Sequence, residues 1–196
     1  KMGHPKLTEY FKAYGLGSKT GIDLPDEVTG DLSPMGDGSG PDVNYAAASF
    51  GQGIAVSPIE MIRALSVLAN EGKLPSPHVV TAVKYESGVT RALPVADSVQ
   101  VLKPESAETV TTMLTTVYDK ALLKGAIKMD HYSVAAKTGT AQIANPATGK
   151  YYGDRYLHSF FGYFPAHDPK FIVFLFTIEP HGQEYASATL ARPFMG

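Results

Sequence analysis

The sequence predicts an α/β chain of the α+β kind, helical first and strand-rich in its last third. Three observations predict it. Apolar residues recur at helical spacing in three segments before residue 124. From Tyr132 onward that period gives way to three short runs of strand character. Between the last two runs, Pro165-Ala166-His167-Asp168-Pro169 is a turn sequence that predicts an antiparallel hairpin.

Residues 5–14 place Leu7, Tyr10, Phe11 and Tyr14 on one helical face, with Pro5 in the first turn and Gly15 and Gly17 as stops. Residues 17–44 are rich in Gly, Pro, Asp and Ser, which predicts a long irregular connection with few regular elements. Ser57-Pro58-Ile59-Glu60 reads as a capping box. It opens a helix to about Asn70 that stripes Ile59, Ile62, Leu65 and Leu68, with Gly72 past its end. His78 to Tyr85 is a strand candidate. A long helix follows from Pro104 to about Leu123, with Val110, Met113, Leu114, Val117, Tyr118 and Ala121 as its stripe and Gly125 as its stop. The three strands are Tyr132 to Ile143, Leu157 to Phe164 and Lys170 to Ile178, with a polar and aromatic loop over 144–156. The unbroken apolar run Phe171 to Phe176 predicts a strand covered on both faces.

Bulk properties narrow the function classes. The 196 residues suit one domain or a large piece of one, and 44% hydrophobic residues suffice for a core. The charge of −2 gives no reason to expect nucleic acid. Without cysteine there is no disulfide, thiolate nucleophile or Cys-ligated zinc, and the six histidines lack metal-ligand spacing. No metal and no cofactor is expected. No apolar stretch approaches the ~20 residues of a membrane span. Lys1-Met2-Gly3-His4 reads as a start inside something longer.

Lys-Thr-Gly occurs twice. Lys19-Thr20-Gly21 sits among Gly15, Gly17 and Pro25 and reads as a turn. Lys137-Thr138-Gly139-Thr140-Ala141-Gln142 follows the apolar Val134-Ala135-Ala136 on a strand. A cation, two hydroxyls and a bare glycine on an extended edge suit a guest peptide with a free carboxylate. Gly17-Ser18-Lys19-Thr20 lacks phosphate-loop spacing, and 36–40 misses the dinucleotide fingerprint. His158 reads as a surface or packed residue rather than a general base. Tyr151, Tyr152 and Tyr156 read as loop packing, with a substrate groove as the alternative.

The second tripeptide and its context resemble the transpeptidase domain of class B penicillin-binding proteins. The segment 15–27, Phe50-Gly51-Gln52-Gly53-Ile54, Ala69-Asn70-Glu71-Gly72, Pro77-His78-Val79-Val80 and Ser159-Phe160-Phe161-Gly162-Tyr163-Phe164-Pro165 match that family in order. No Ser here has Lys three residues on, and no Ser-x-Asn exists, so both other motifs are expected upstream of residue 1. Ala191 to Gly196 resembles the entry to the family's last helix.

The resemblance implies a β-lactamase/transpeptidase-like fold, a five-stranded antiparallel sheet flanked by helices beside a helical lobe. Residues 1–196 then form its C-terminal part, with 1–130 in the helical lobe and its connections and 131–196 in the sheet, where they supply three strands. It implies a D,D-transpeptidase that cross-links peptidoglycan stem peptides through a serine acyl-enzyme and reacts with β-lactam antibiotics. Lys137 and Thr140 are the implied catalytic residues, and Thr138, Gly139 and Gln142 the substrate-binding ones. Implied partners are D-Ala-D-Ala stem peptides, β-lactams and the rest of the domain, outside a cytoplasmic membrane to which the enzyme is tethered. A β-lactamase-type hydrolase and a non-catalytic penicillin- or peptide-binding sensor are the alternatives.

Overall fold

A computed structural model describes residues 2–180 and 190. They belong to two compact units, Lys1–Ala48 with Gly53–Lys103, and Ser49–Gln52 with Pro104–Gly196. The helix after Pro104 thus joins the strands of 131–196.

In the first unit, α1 (His4–Ala13) forms as its period predicts, with Pro5 in its first turn. It ends where Gly15 turns left-handed at φ 79°. A 3-10 turn (Ser33–Met35) and α2 (Asp42–Ala48) interrupt the stretch expected to be irregular. The run Tyr45-Ala46-Ala47-Ala48 has the helix propensity that the surrounding Gly, Pro and Asp obscure. Met35, Tyr45 and Ala48 bury against Leu7, Phe11 and Ile54. The Tyr45 hydroxyl donates to the Met35 carbonyl and accepts from the Thr8 hydroxyl at 3.3 Å.

The capping box opens α3 (Pro58–Ala69). The Ser57 hydroxyl accepts from the Glu60 amide at 3.3 Å, and the Ser57 amide donates to the Glu60 carboxylate at 2.7 Å. Reaching back to the cap carries Glu60 inside, and Ala64 and Val67 bury with it. The expected stripe of Ile59, Ile62, Leu65 and Leu68 is only half-buried. Leu65 and Leu68 instead help line an apolar groove of about 430 Å³ with Leu7, Tyr10 and Phe11 of α1.

Beyond α3, β1 (Lys73–Leu74) leads to the hairpin of β2 (Ala82–Lys84) and β3 (Thr90–Ala92), and β4 (Val99–Gln100) pairs back on β1. Gly72 is required on two counts: its φ is 81°, and a Cβ there would lie 2.3 Å from the Leu102 carbonyl oxygen. The strand expected from His78 starts only at Ala82. The amides of Val79 and Val80 donate to the Asp23 carboxylate at 2.7 Å each, which removes them from any ladder.

In the second unit the long helix breaks up. α4 (Pro104–Thr116) passes into a π turn (Val117–Ala121) and a 3-10 turn (Leu122–Gly125). Thr109, Thr111, Thr112, Thr115 and Thr116 each donate a hydroxyl to the carbonyl four residues back. Such back-bonding bends and loosens a helix. Ala107, Thr111 and Tyr118 form the buried face, whereas Met113 of the expected stripe is exposed.

The main sheet has the order β5-β6-β7, antiparallel throughout. Its strands are β5 (Ala135–Asn145), β6 (Lys150–Phe164) and β7 (Phe171–Ile178). The hairpin of β6 and β7 is the one the Pro165–Pro169 turn predicts. The loop expected over 144–156 is instead largely strand. The chain reverses at 146–149, where the Asn145 side chain accepts from the Ala147 amide at 3.0 Å and Gly149 takes φ 66°. Pro146, Gly149 and Gly153 hide this hairpin in the sequence. β7 is not covered on both faces, and Phe171 and Ile178 are 63% and 62% exposed. It is an outer strand among the described residues. The core of this unit joins Tyr118, Leu122, Ile127 and Leu190 to Val134, Ala136 and Phe160. The expected helix entry at 191–196 lies outside the described residues.

Candidate functional site

Burial fixes where the second tripeptide emerges. Val134, Ala135 and Ala136 are 2%, 0% and 0% exposed, and Lys137 is the first exposed residue of β5. The core thus holds the strand just before its cation. Among the described residues β5 pairs on one side only, with β6. The backbone of residues 137–142 therefore has an outer edge at which an extended guest can add as a strand.

Alternation divides the site residues between two faces. Lys137 and Gly139 share one, opposite Phe161 and Ser159 of β6; Thr138, Thr140 and Gln142 share the other, opposite Phe160, His158 and Tyr156. The Lys137 ammonium donates to the Thr138 carbonyl at 2.6 Å. It spends one of three donors there, so the charge lies against the strand. Thr140 is exposed and Thr138 half-buried. The Gln142 amide nitrogen donates to the Tyr152 carbonyl at 3.2 Å. Part of its hydrogen-bonding capacity thus serves its own hairpin.

Gly139 does not have a left-handed φ, so its backbone alone does not demand glycine. Its side-chain space is taken: a Cβ would stand 2.6 Å from the Ser159 hydroxyl oxygen. The sequence shows no sign of this contact, because only the register sets Ser159 opposite Gly139.

Beyond Gln142 the two strands fall out of step. Between the pairs Gln142↔Tyr156 and Ala144↔Tyr151, β5 has Ile143 alone while β6 carries Tyr152, Gly153, Asp154 and Arg155. In this bulge the Arg155 guanidinium lies 4.2 Å from the Tyr152 ring centre and 3.4 Å from the Glu179 carboxylate. The Tyr156 hydroxyl donates to the Gly153 carbonyl at 3.0 Å. Tyr152 and Tyr156 therefore make packing contacts in the bulge. His158 is fully buried at the centre of the sheet, between Thr140 and Thr177.

At the first tripeptide, the Glu27 carboxylate accepts from the Thr20 amide at 2.6 Å, the Thr20 hydroxyl at 2.5 Å and the Gly21 amide at 3.1 Å. It is a turn, as its neighbours predict, and Gly21 has φ 78°. The same three letters thus give a capped turn in one place and an open strand in the other.

The sequence profile of the penicillin binding protein transpeptidase domain matches residues 1–196. The chain belongs to the penicillin-binding protein transpeptidase family. Its relatives are those of the class B members. It is 35% identical to stage V sporulation protein D of Bacillus subtilis, over 100% of this chain and 30% of that protein. It is 30% identical to penicillin-binding protein PbpB of Mycolicibacterium smegmatis, over 88% of this chain and 27% of that one. Among solved structures it is similar to penicillin-binding protein 3 of Mycobacterium tuberculosis in complex with ampicillin. There the TM-score is 0.82 at 28% identity, over 89% of this chain and 40% of that one. The chain thus spans a little under a third of the length of these two relatives.

Proposed function

We propose that this chain forms the Lys-Thr-Gly wall of a peptidoglycan D,D-transpeptidase site that β-lactams acylate. The observation that carries the reading is the pairing, on one strand, of the exposed Lys137 ammonium with a backbone edge left unpaired among the described residues. A serine from a Ser-x-x-Lys motif elsewhere in the protein attacks the D-Ala-D-Ala carbonyl, D-Ala leaves, and the acyl group passes to the amine of a second stem peptide. The chemistry is covalent catalysis by an activated nucleophile.

Each residue of the edge has a part. Lys137 attracts the carboxylate of the stem peptide or antibiotic and offsets negative charge building near the serine. The Thr138 and Thr140 hydroxyls, on the other face of the strand, bind that carboxylate or its neighbours across the edge, and the Thr140 amide serves as one of two oxyanion donors, the other being the serine's own amide. Gln142 contacts the guest further along the strand. The incoming peptide pairs with residues 136–142 as an added strand. β-Lactams enter as mimics of the same peptide, and the ampicillin bound to the mycobacterial relative supports that step. The enzyme works outside the cytoplasmic membrane on a tether; among the described residues no helix is long and apolar enough to cross one.

The test uses the full-length protein and a fluorescent penicillin. Lys137→Ala lowers the second-order acylation rate by about two to three orders of magnitude, the loss typical of one preorganised electrostatic contact. An unchanged rate overturns the role of Lys137.

A further inference from the structure

Gly139 carries no side chain, yet its side-chain position is not empty. Ser159 lies directly opposite it on β6, and its Oγ stands 2.6 Å from where a Cβ would be. Among the described residues, apart from Gly139 and its two chain neighbours, the only other atom within 4 Å of that point is the Ser159 Cβ, at 4.0 Å. No partner for the Ser159 hydroxyl is found among the described residues. The neighbouring strand therefore supplies a hydroxyl to the edge at the position the glycine leaves bare.

That hydroxyl is on the Lys137 face. Lys137 pairs with Phe161, so Ser159 is its diagonal neighbour across the strands, within reach of a lysine side chain. Two of the three ammonium donors remain after the bond to the Thr138 carbonyl.

We infer that Ser159 is a positioning residue of the site: its hydroxyl takes the side-chain place of Gly139 on the Lys137 face and is the acceptor to which the Lys137 ammonium, bonded here to the Thr138 carbonyl, turns when a guest occupies the edge. The glycine is then needed to admit a hydroxyl from within the sheet, and not chiefly to admit the guest. This inference rests on the role proposed for Lys137.

Penicillin acylation of the full-length protein tests it, with binding (K) and acylation (k2) resolved. Ser159→Ala lowers k2 about tenfold, the scale of one hydrogen bond to a charged group, and leaves K and the melting temperature unchanged. Ser159→Thr keeps the hydroxyl and retains most of k2. Gly139→Ala is severe alone and costs little once Ser159 is alanine, because the close contact is gone. An unchanged k2 in Ser159→Ala overturns the inference, as does a Gly139→Ala loss of equal size in both backgrounds. Lys137→Ala is measured alongside. If it too leaves acylation intact, the proposed function fails; if it alone is slow, only the role of Ser159 fails.

Discussion

At Lys19-Thr20-Gly21 one carboxylate gathers three donors. The Thr20 hydroxyl holds Glu27 below its ordinary pKa of 4.5; desolvation opposes it, and the Thr20 and Gly21 amides and the Lys19 charge add to the lowering. The folded pKa is thus depressed. Its contribution to stability is present above about 4.5, the unfolded value, and is lost as pH falls through the lower folded value. Denaturant unfolding between pH 7 and pH 3 should therefore show a steeper acid decline in the wild type than in Glu27→Gln. Superimposable pH curves would remove Glu27 as the clasp. At Lys137-Thr138-Gly139 the same tripeptide has no such acceptor among the described residues, and its lysine turns to its own backbone. Neighbours six and seven residues away in one case, and a facing strand in the other, decide what the letters mean.

The capping box illustrates the scale of elements. It was readable as Ser57-Pro58-Ile59-Glu60, and both of its reciprocal bonds form. Ser57→Ala should destabilise the first unit by about 1 kcal/mol, typical of a lost N-cap, seen as a shift in urea midpoint at unchanged slope. No shift would mean that Glu60 holds the helix start unaided. The helical period was less informative about which face is buried. Glu60 was drawn in by its bonds to the cap, and Met113 was left outside by the threonine-rich helix. Hairpins behaved similarly. The turn at Pro165–Pro169 was plain, whereas the one at 146–149 lay hidden, because the exposed strands around it lack an apolar face and their register shifts at Gln142.

At the scale of the molecule, apolar surface remains uncovered. Phe171, Phe176 and Ile178 on the outer strand β7 are exposed, as are Val79, Val89 and Val99 around the β2–β3 hairpin. Exposed apolar edge strands pair with other chains. Residues 1–196 expressed alone should therefore be poorly soluble or aggregate, as light scattering would show. A sharp, reversible, concentration-independent melt of this piece would refute that.

By itself the sequence determined the α+β class, the three main helices, the β6–β7 hairpin and the strand that carries Lys137, Thr138, Gly139, Thr140 and Gln142. These follow from local patterns: period, caps, turns, and an apolar run ending in a cation. Only the tertiary structure decided that, among the described residues, β5 pairs on one side alone, that Gln142 also braces its own hairpin and that Ser159 fills the place of Gly139. Those facts depend on cross-strand register, which joins residues ten to twenty positions apart, and no local pattern encodes which side chain stands opposite a glycine.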